Sequence, residues 1–270
     1  MKTNKLITFL LVFLVMLVVC MTLFSLKPGN FKLIIRIILI ALFYSSWRWF
    51  HKKEFTDLKN LAFTFMVLNL AFLVVTPFTT EFWHLKPDTS KGLALSKFSD
   101  SAIISIVLIS SFLIAGYSLK SIYLTRGKLM PGIITGIIFF LIFGYLALTN
   151  PQQKPGPGFL EKNWVWIFVF VLSNGFMEEL IFRGIFLEKL NLLFNYHLSI
   201  FMTSVCFAVP HLIVNYQANV MLFAVITFIL GMICGYAIHF TRSIIAPALI
   251  HAGADLMIIV PIFASYGIPG

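Results

Sequence analysis

Trp164-Val165-Trp166-Ile167-Phe168-Val169-Phe170-Val171-Leu172-Ser173-Asn174-Gly175-Phe176-Met177-Glu178-Glu179-Leu180-Ile181-Phe182-Arg183-Gly184-Ile185-Phe186-Leu187 is the stretch that decides how this chain folds. It is long and apolar enough to cross a bilayer as a helix, yet it carries two carboxylates and a guanidinium. A charged side chain at the centre of such a span costs about 2.5–3.5 kcal/mol even on lenient insertion scales, so groups of this kind mark a site. Two further clusters lie in apolar segments downstream, Phe207-Ala208-Val209-Pro210-His211 and His251-Ala252-Gly253-Ala254-Asp255. The whole chain has only ten acidic residues, and Glu178, Glu179 and Asp255 all fall at membrane depth.

Composition agrees with that reading. Hydrophobic residues make up 60% of the chain and charged residues 11%, against about 25% charged in soluble domains. The apolar segments are too long and unbroken for barrel strands, so the expected fold is all-α, a polytopic transmembrane bundle. Spans are expected near 6–26, 31–47, 60–78, 101–119, 130–149, 164–187, 198–214, 219–240 and 243–264, which gives about eight or nine helices. The weakest are the second, which carries Arg36, and the seventh, which is short and contains Pro210. The first resembles a signal peptide after Lys2 and Lys5, but no small-residue cleavage site follows and Leu26-Lys27-Pro28 reads as a helix end, so it is expected to stay as an anchor.

Basic residues in the short loops orient the bundle. With the N-terminus in the cytoplasm, eleven Lys and Arg side chains face inward, among them Lys52, Lys53, Lys120, Arg126 and Arg242, and seven face outward. The formal charge of +10 is then a matter of topology and of anionic lipid headgroups. No basic stripe points to nucleic acid. The polar stretches 79–100 and 150–163 read as loops, the second with Pro151, Pro155, Gly156, Pro157 and Gly158. The chain divides by motif content into 1–129, helices without a recognised motif, and 130–270, which holds all three clusters. Cys20, Cys206 and Cys234 have no CxxC spacing and read as free, buried thiols. Gly132 with Gly136 and Gly231 with Gly235 are spaced for close helix contact, and the five Trp residues fall near span ends.

Helix geometry assigns different tasks to the paired acids. Glu179 and Arg183 are four apart and share a face, where they can pair and lower the cost of burying both charges. Glu178 points about 100° away and is left to face another neighbour. A carboxylate beside a neutral imidazole can hold and deprotonate a water, and a nearby donor can stabilise the oxyanion formed when that water attacks an amide. Two His and one Glu are also the ligand set of a catalytic zinc site, so Glu178, His211 and His251 would be the ligands if Zn2+ were bound. There is no HExxH, and the metal-free arrangement is preferred.

EExxxR, FxxxH and HxxxD, in this order on successive apolar segments, resemble the signature of the CAAX-protease and bacteriocin-processing family, also called the Abi family of intramembrane endopeptidases. With flanking helices the resemblance covers residues 130–264. It implies that Glu178 is the water-activating base, that His211 at the end of FxxxH assists it, and that Glu179, Arg183 and Phe207 organise the site. It implies that His251 and the residue at 255 form the oxyanion-stabilising end, or contribute to metal binding in a metalloprotease account. Many relatives have HxxxN, whereas this chain has Asp255, and an ionised carboxylate only accepts hydrogen bonds. To donate, Asp255 would have to be protonated; otherwise it orients His251 or binds a cation.

The implied activity is hydrolysis of a peptide bond in a membrane-embedded or membrane-delivered substrate, at a multi-pass protein of a bacterial plasma membrane. A non-catalytic immunity or scaffold protein and a proton-coupled transporter are the alternatives. A transporter would show repeated halves with broken helices, and a scaffold has no need of the full set Glu178, His211, His251 and Asp255.

Overall fold

The computed structural model describes residues 5–24, 30–150, 155–214 and 219–266, and the described residues contain helices and no strand. In chain order they form α1 (Lys5–Phe24), α2 (Asn30–Lys52), α3 (Thr56–Val75), α4 (Ser90–Ile114), a 3-10 turn (Leu119–Ile122) and α5 (Leu129–Thr149). Next, α6 (Phe159–Glu179) continues into a π-helical turn (Leu180–Phe186) and α7 (Leu187–Leu190). Then α8 (Tyr196–Ala208) tightens into a 3-10 turn (Val209–Ile213), followed by α9 (Val220–Thr241) and α10 (Ile245–Ser265). Among the described residues nine helical spans are long and apolar enough to cross a membrane, with Phe159–Leu190 and Tyr196–Ile213 each counting once. The protein is a multi-pass membrane protein. In lipid a helix satisfies its own backbone polar groups, which is why apolar runs of this length take that form.

Several helix starts lie upstream of the sequence reading, α3 at Thr56, α6 at Phe159 and, furthest, α4. α4 begins at Ser90, where Thr89 caps it by accepting from the Gly92 N–H at 3.1 Å, and not near residue 101. Its first turns carry Lys91, Ser96, Lys97 and Ser99, which hydropathy reads as loop although a good N-cap starts a helix. Pro151 and the helix end at Leu26-Lys27-Pro28 fall on or across positions outside the described residues; Gly158 is described and takes the left-handed conformation at the start of α6.

Contacts divide the chain into two compact units, which follow packing where the division at residue 130 follows motif content. One unit is Met1–Leu73 with Phe186–Gly235. In it α1 packs on α8, and a Cβ at Gly235 of α9 would come within 2.6 Å of Ile200. Arg36, 2% exposed, is tolerated in α2 because it donates to the Phe72 carbonyl and lies 5.4 Å from the Phe72 ring centre. Cys20, Cys206 and Cys234 are free and buried.

The other unit is Val74–Ile185 with Tyr236–Gly270. Here α10 packs on α5 and α6, and α4 on α6. Ile167 and Val171 of α6 meet Leu256, Ile259 and Phe263 of α10 in its apolar core. Lipid is as apolar as this core, so the helices are held by close fit. Glycine supplies it. A Cβ at Gly175 of α6 would lie 2.9 Å from the Ala248 carbonyl oxygen and 3.0 Å from the Ala252 nitrogen of α10, and one at Gly136 of α5 would lie 2.5 Å from Leu249 Cβ. Gly132, by contrast, makes only ordinary contact, 3.5 Å from Ala246.

Candidate active site

Close contact at Gly175 brings the polar residues of α6 and its π turn against those of α10. The centre of the cluster is Glu179. Its Oε1 accepts from Arg183 Nη1 at 3.0 Å and from His251 Nδ1 at 2.8 Å, with both Glu179 and Arg183 fully buried. Glu179 and Arg183 are thus joined across the four-residue spacing, at the point where α6 changes to a π turn. Such turns are uncommon and occur often at functional sites.

His251, 3% exposed, is fixed by its bond to Glu179. A carboxylate only accepts, so Nδ1 carries the shared hydrogen and Nε2 is presented to the remaining acids. Nε2 lies 3.7 Å from Glu178 Oε2 and 3.6 Å from Asp255 Oδ1. These separations exceed a direct hydrogen bond, yet one water can contact both sides of either gap. Asp255 turns its second oxygen, Oδ2, to Asn174, whose Nδ2 donates at 2.8 Å. Glu178 is the most accessible of the three acids, its side chain 14% exposed against 8% for Asp255 and 0% for Glu179.

The structure therefore gathers Glu178, Glu179, Arg183, His251 and Asp255 within one compact unit. It adds Asn174, which the sequence reading passed over. The available signal was positional: Asn174 is four residues before Glu178, and so on the same helical face, within an apolar span.

Phe207 and His211 belong to the other unit. α8 gives way to a 3-10 turn at Val209, with Pro210 second in that turn and unable to donate a backbone N–H. His211 Nδ1 lies 2.9 Å from the Phe207 carbonyl oxygen. That carbonyl only accepts, so Nδ1 bears the hydrogen and Nε2 is the lone-pair nitrogen of the neutral ring. The Phe207 and Phe223 rings stand edge-on to the imidazole, each 5.3 Å away. The four-residue spacing of FxxxH thus has a local cause: residue 207 supplies both the carbonyl and a ring wall. Among the described residues no group of three or more His, Cys, Asp and Glu side chains is arranged to hold a metal ion.

Residues 160–257 match the family described as type II CAAX prenyl endopeptidase, Rce1-like. This segment is similar to the Rce1-like endopeptidases. The matched segment spans every polar residue of the α6–α10 cluster, together with Phe207 and His211. No curated protein and no solved structure matches the chain. The family is one of membrane proteases, in keeping with the apolar helices that carry the motifs.

Proposed function

We propose that the chain is an intramembrane endopeptidase in which Glu178 activates a water for attack on a peptide bond. The observation that supports this role is the division of labour between adjacent acids. Glu179 is committed to Arg183 and His251, whereas Glu178 keeps an oxygen toward His251 Nε2 without closing a direct bond. A water in that gap would give its proton to Glu178 as its oxygen adds to the carbonyl carbon. When the C–N bond breaks, the same proton passes from the Glu178 carboxyl to the leaving amine. His251, anchored through Nδ1, can meet the oxygen on which negative charge develops in its doubly protonated form, when Nε2 also carries a hydrogen to donate. His211 is assigned to the reaction on the FxxxH motif alone.

The family's description supports a substrate whose prenylated cysteine, followed by three residues, is delivered from the bilayer. The positive-inside count favours an N-terminus in the cytoplasm and access to Glu178 from that side. Peptides released by membranes carrying wild-type protein, compared with Glu178→Gln, test both activity and substrate. Glu178→Gln is expected to stay inserted and folded while hydrolysis falls by roughly 10²–10⁴-fold, the usual contribution of a general base. Near wild-type cleavage by a folded Glu178→Gln protein would falsify the assignment. Elemental analysis of protein purified without added metal, with assays after exhaustive chelation, decides the zinc alternative: activity is expected to survive. Stoichiometric zinc whose removal stops cleavage and whose return restores it would make Glu178 a ligand.

A further inference from the structure

Among the described residues three buried asparagines lie in the helices, and two of them behave alike. Asn69 Nδ2 donates to the Phe65 carbonyl at 2.9 Å and Asn163 Nδ2 to the Phe159 carbonyl at 3.0 Å, each within its own helix four residues back. Such bonds satisfy an amide locally and need nothing from the rest of the fold. Asn174, 7% exposed, breaks the pattern by sending Nδ2 across to Asp255 of α10 at 2.8 Å. The short Asn side chain spans the gap because Gly175, the next residue, lets α6 and α10 approach to backbone contact.

That bond fixes how Asp255 stands. A carboxylate has two oxygens, and with Oδ2 taken by Asn174 the other, Oδ1, is the one turned to His251 Nε2 at 3.6 Å. The amide is a donor that carries no charge, so it holds the carboxylate without neutralising it. An Arg or Lys at 174 would compete with His251 for the same anion. Asn174 is also in register with Glu178, one turn along α6, so a single helix face presents both the amide and the proposed base.

We propose that Asn174 is a positioning residue of the site, acting through Asp255 to set the orientation of His251 for turnover. The proposal rests on the reading of the α6–α10 cluster as a hydrolytic centre. Its role is in the rate of the chemical step and not in substrate affinity, because its amide donor is engaged by Asp255.

The test uses full-length protein in detergent and an internally quenched peptide ending in a farnesylated cysteine plus three residues. Asn174→Leu, which keeps the branched outline in a larger side chain and removes the donor, is expected to lower kcat at least tenfold with KM changed less than threefold. Asn174→Gln, which keeps the amide on a longer stem, is expected to recover part of the loss. On an Asp255→Leu background, which leaves no acceptor at 255, Asn174→Leu is expected to cost little more, since the bond it removes serves Asp255. A folded Asn174→Leu protein with wild-type kcat overturns the proposal. So do kcat losses at 174 and 255 that multiply independently, or a loss confined to KM. The same preparations separate this from failure of the hydrolytic reading. A wild-type chain that leaves the peptide intact, or a Glu178→Gln chain that cleaves it normally, removes the reading. Wild-type cleavage abolished by Glu178→Gln but untouched by Asn174→Leu removes only the proposal for Asn174.

Discussion

At the scale of the residue, the most consequential atom is Glu179 Oε1, which serves a guanidinium and an imidazole at once. A buried ion pair adds little net stability when intact, because desolvation consumes most of its attraction, but removing one partner leaves an uncompensated charge. Glu179→Ala is therefore expected to destabilise the protein by about 3–5 kcal/mol, seen as early thermal unfolding in detergent, and to abolish hydrolysis through loss of the His251 anchor. A fully stable Glu179→Ala protein would show that Arg183 is held by other groups. Glu178→Gln, in contrast, should unfold like wild type. The two adjacent glutamates then separate into one that is structural and reactive together and one that is reactive alone. The Glu179–Arg183 pair was legible in the sequence because it is local, fixed by four residues of helix. The bond from Glu179 to His251 was not, since it joins positions 72 apart and depends on how two helices meet. For the same reason the bond from Asn174 to Asp255 was not legible.

At the scale of the element, helix existence was readable and helix ends were less so. Each expected span has a counterpart, because hydropathy over some twenty residues is a strong signal. The π turn at Leu180–Phe186 was invisible to it, since those residues are as apolar in a π turn as in an α-helix. The α6–α10 contact supplies an element-level prediction. Gly175→Ala places a methyl 2.9 Å from the Ala248 carbonyl oxygen, and backbone cannot rotate away as a side chain can. The helices must part, at a cost of about 1–3 kcal/mol typical of overpacking, and the bonds of His251 and Asp255 to α6 should lengthen. The expected result is a lower unfolding temperature together with a disproportionate fall in kcat. Gly132→Ala is the control, because a Cβ there meets Ala246 at an ordinary 3.5 Å. Equal behaviour of the two variants would show that α6–α10 proximity does not govern activity.

At the scale of the whole molecule, composition and loop charges say that the chain crosses the membrane many times and propose which way round. Single cysteines introduced at exposed loop positions, labelled with membrane-impermeant thiol reagents in sealed vesicles, test the proposed orientation. A cysteine at Lys53 is expected to react only from the cytoplasmic face and one at Asp88 only from the opposite face; the reverse pattern would invert the topology. The three native cysteines are buried and should stay silent. The unit that contains the α6–α10 cluster is assembled from two stretches far apart in the chain, Val74–Ile185 and the segment from Tyr236 onward. Synthesis runs from the N-terminus, so α5 and α6 leave the ribosome well before α10 exists. Until then Glu178 and Glu179 are in the membrane without the imidazole and the second carboxylate that complete their surroundings. On the proposed reading, a nascent chain lacks the complete cluster, and hydrolytic competence would arrive only with insertion of the final described span.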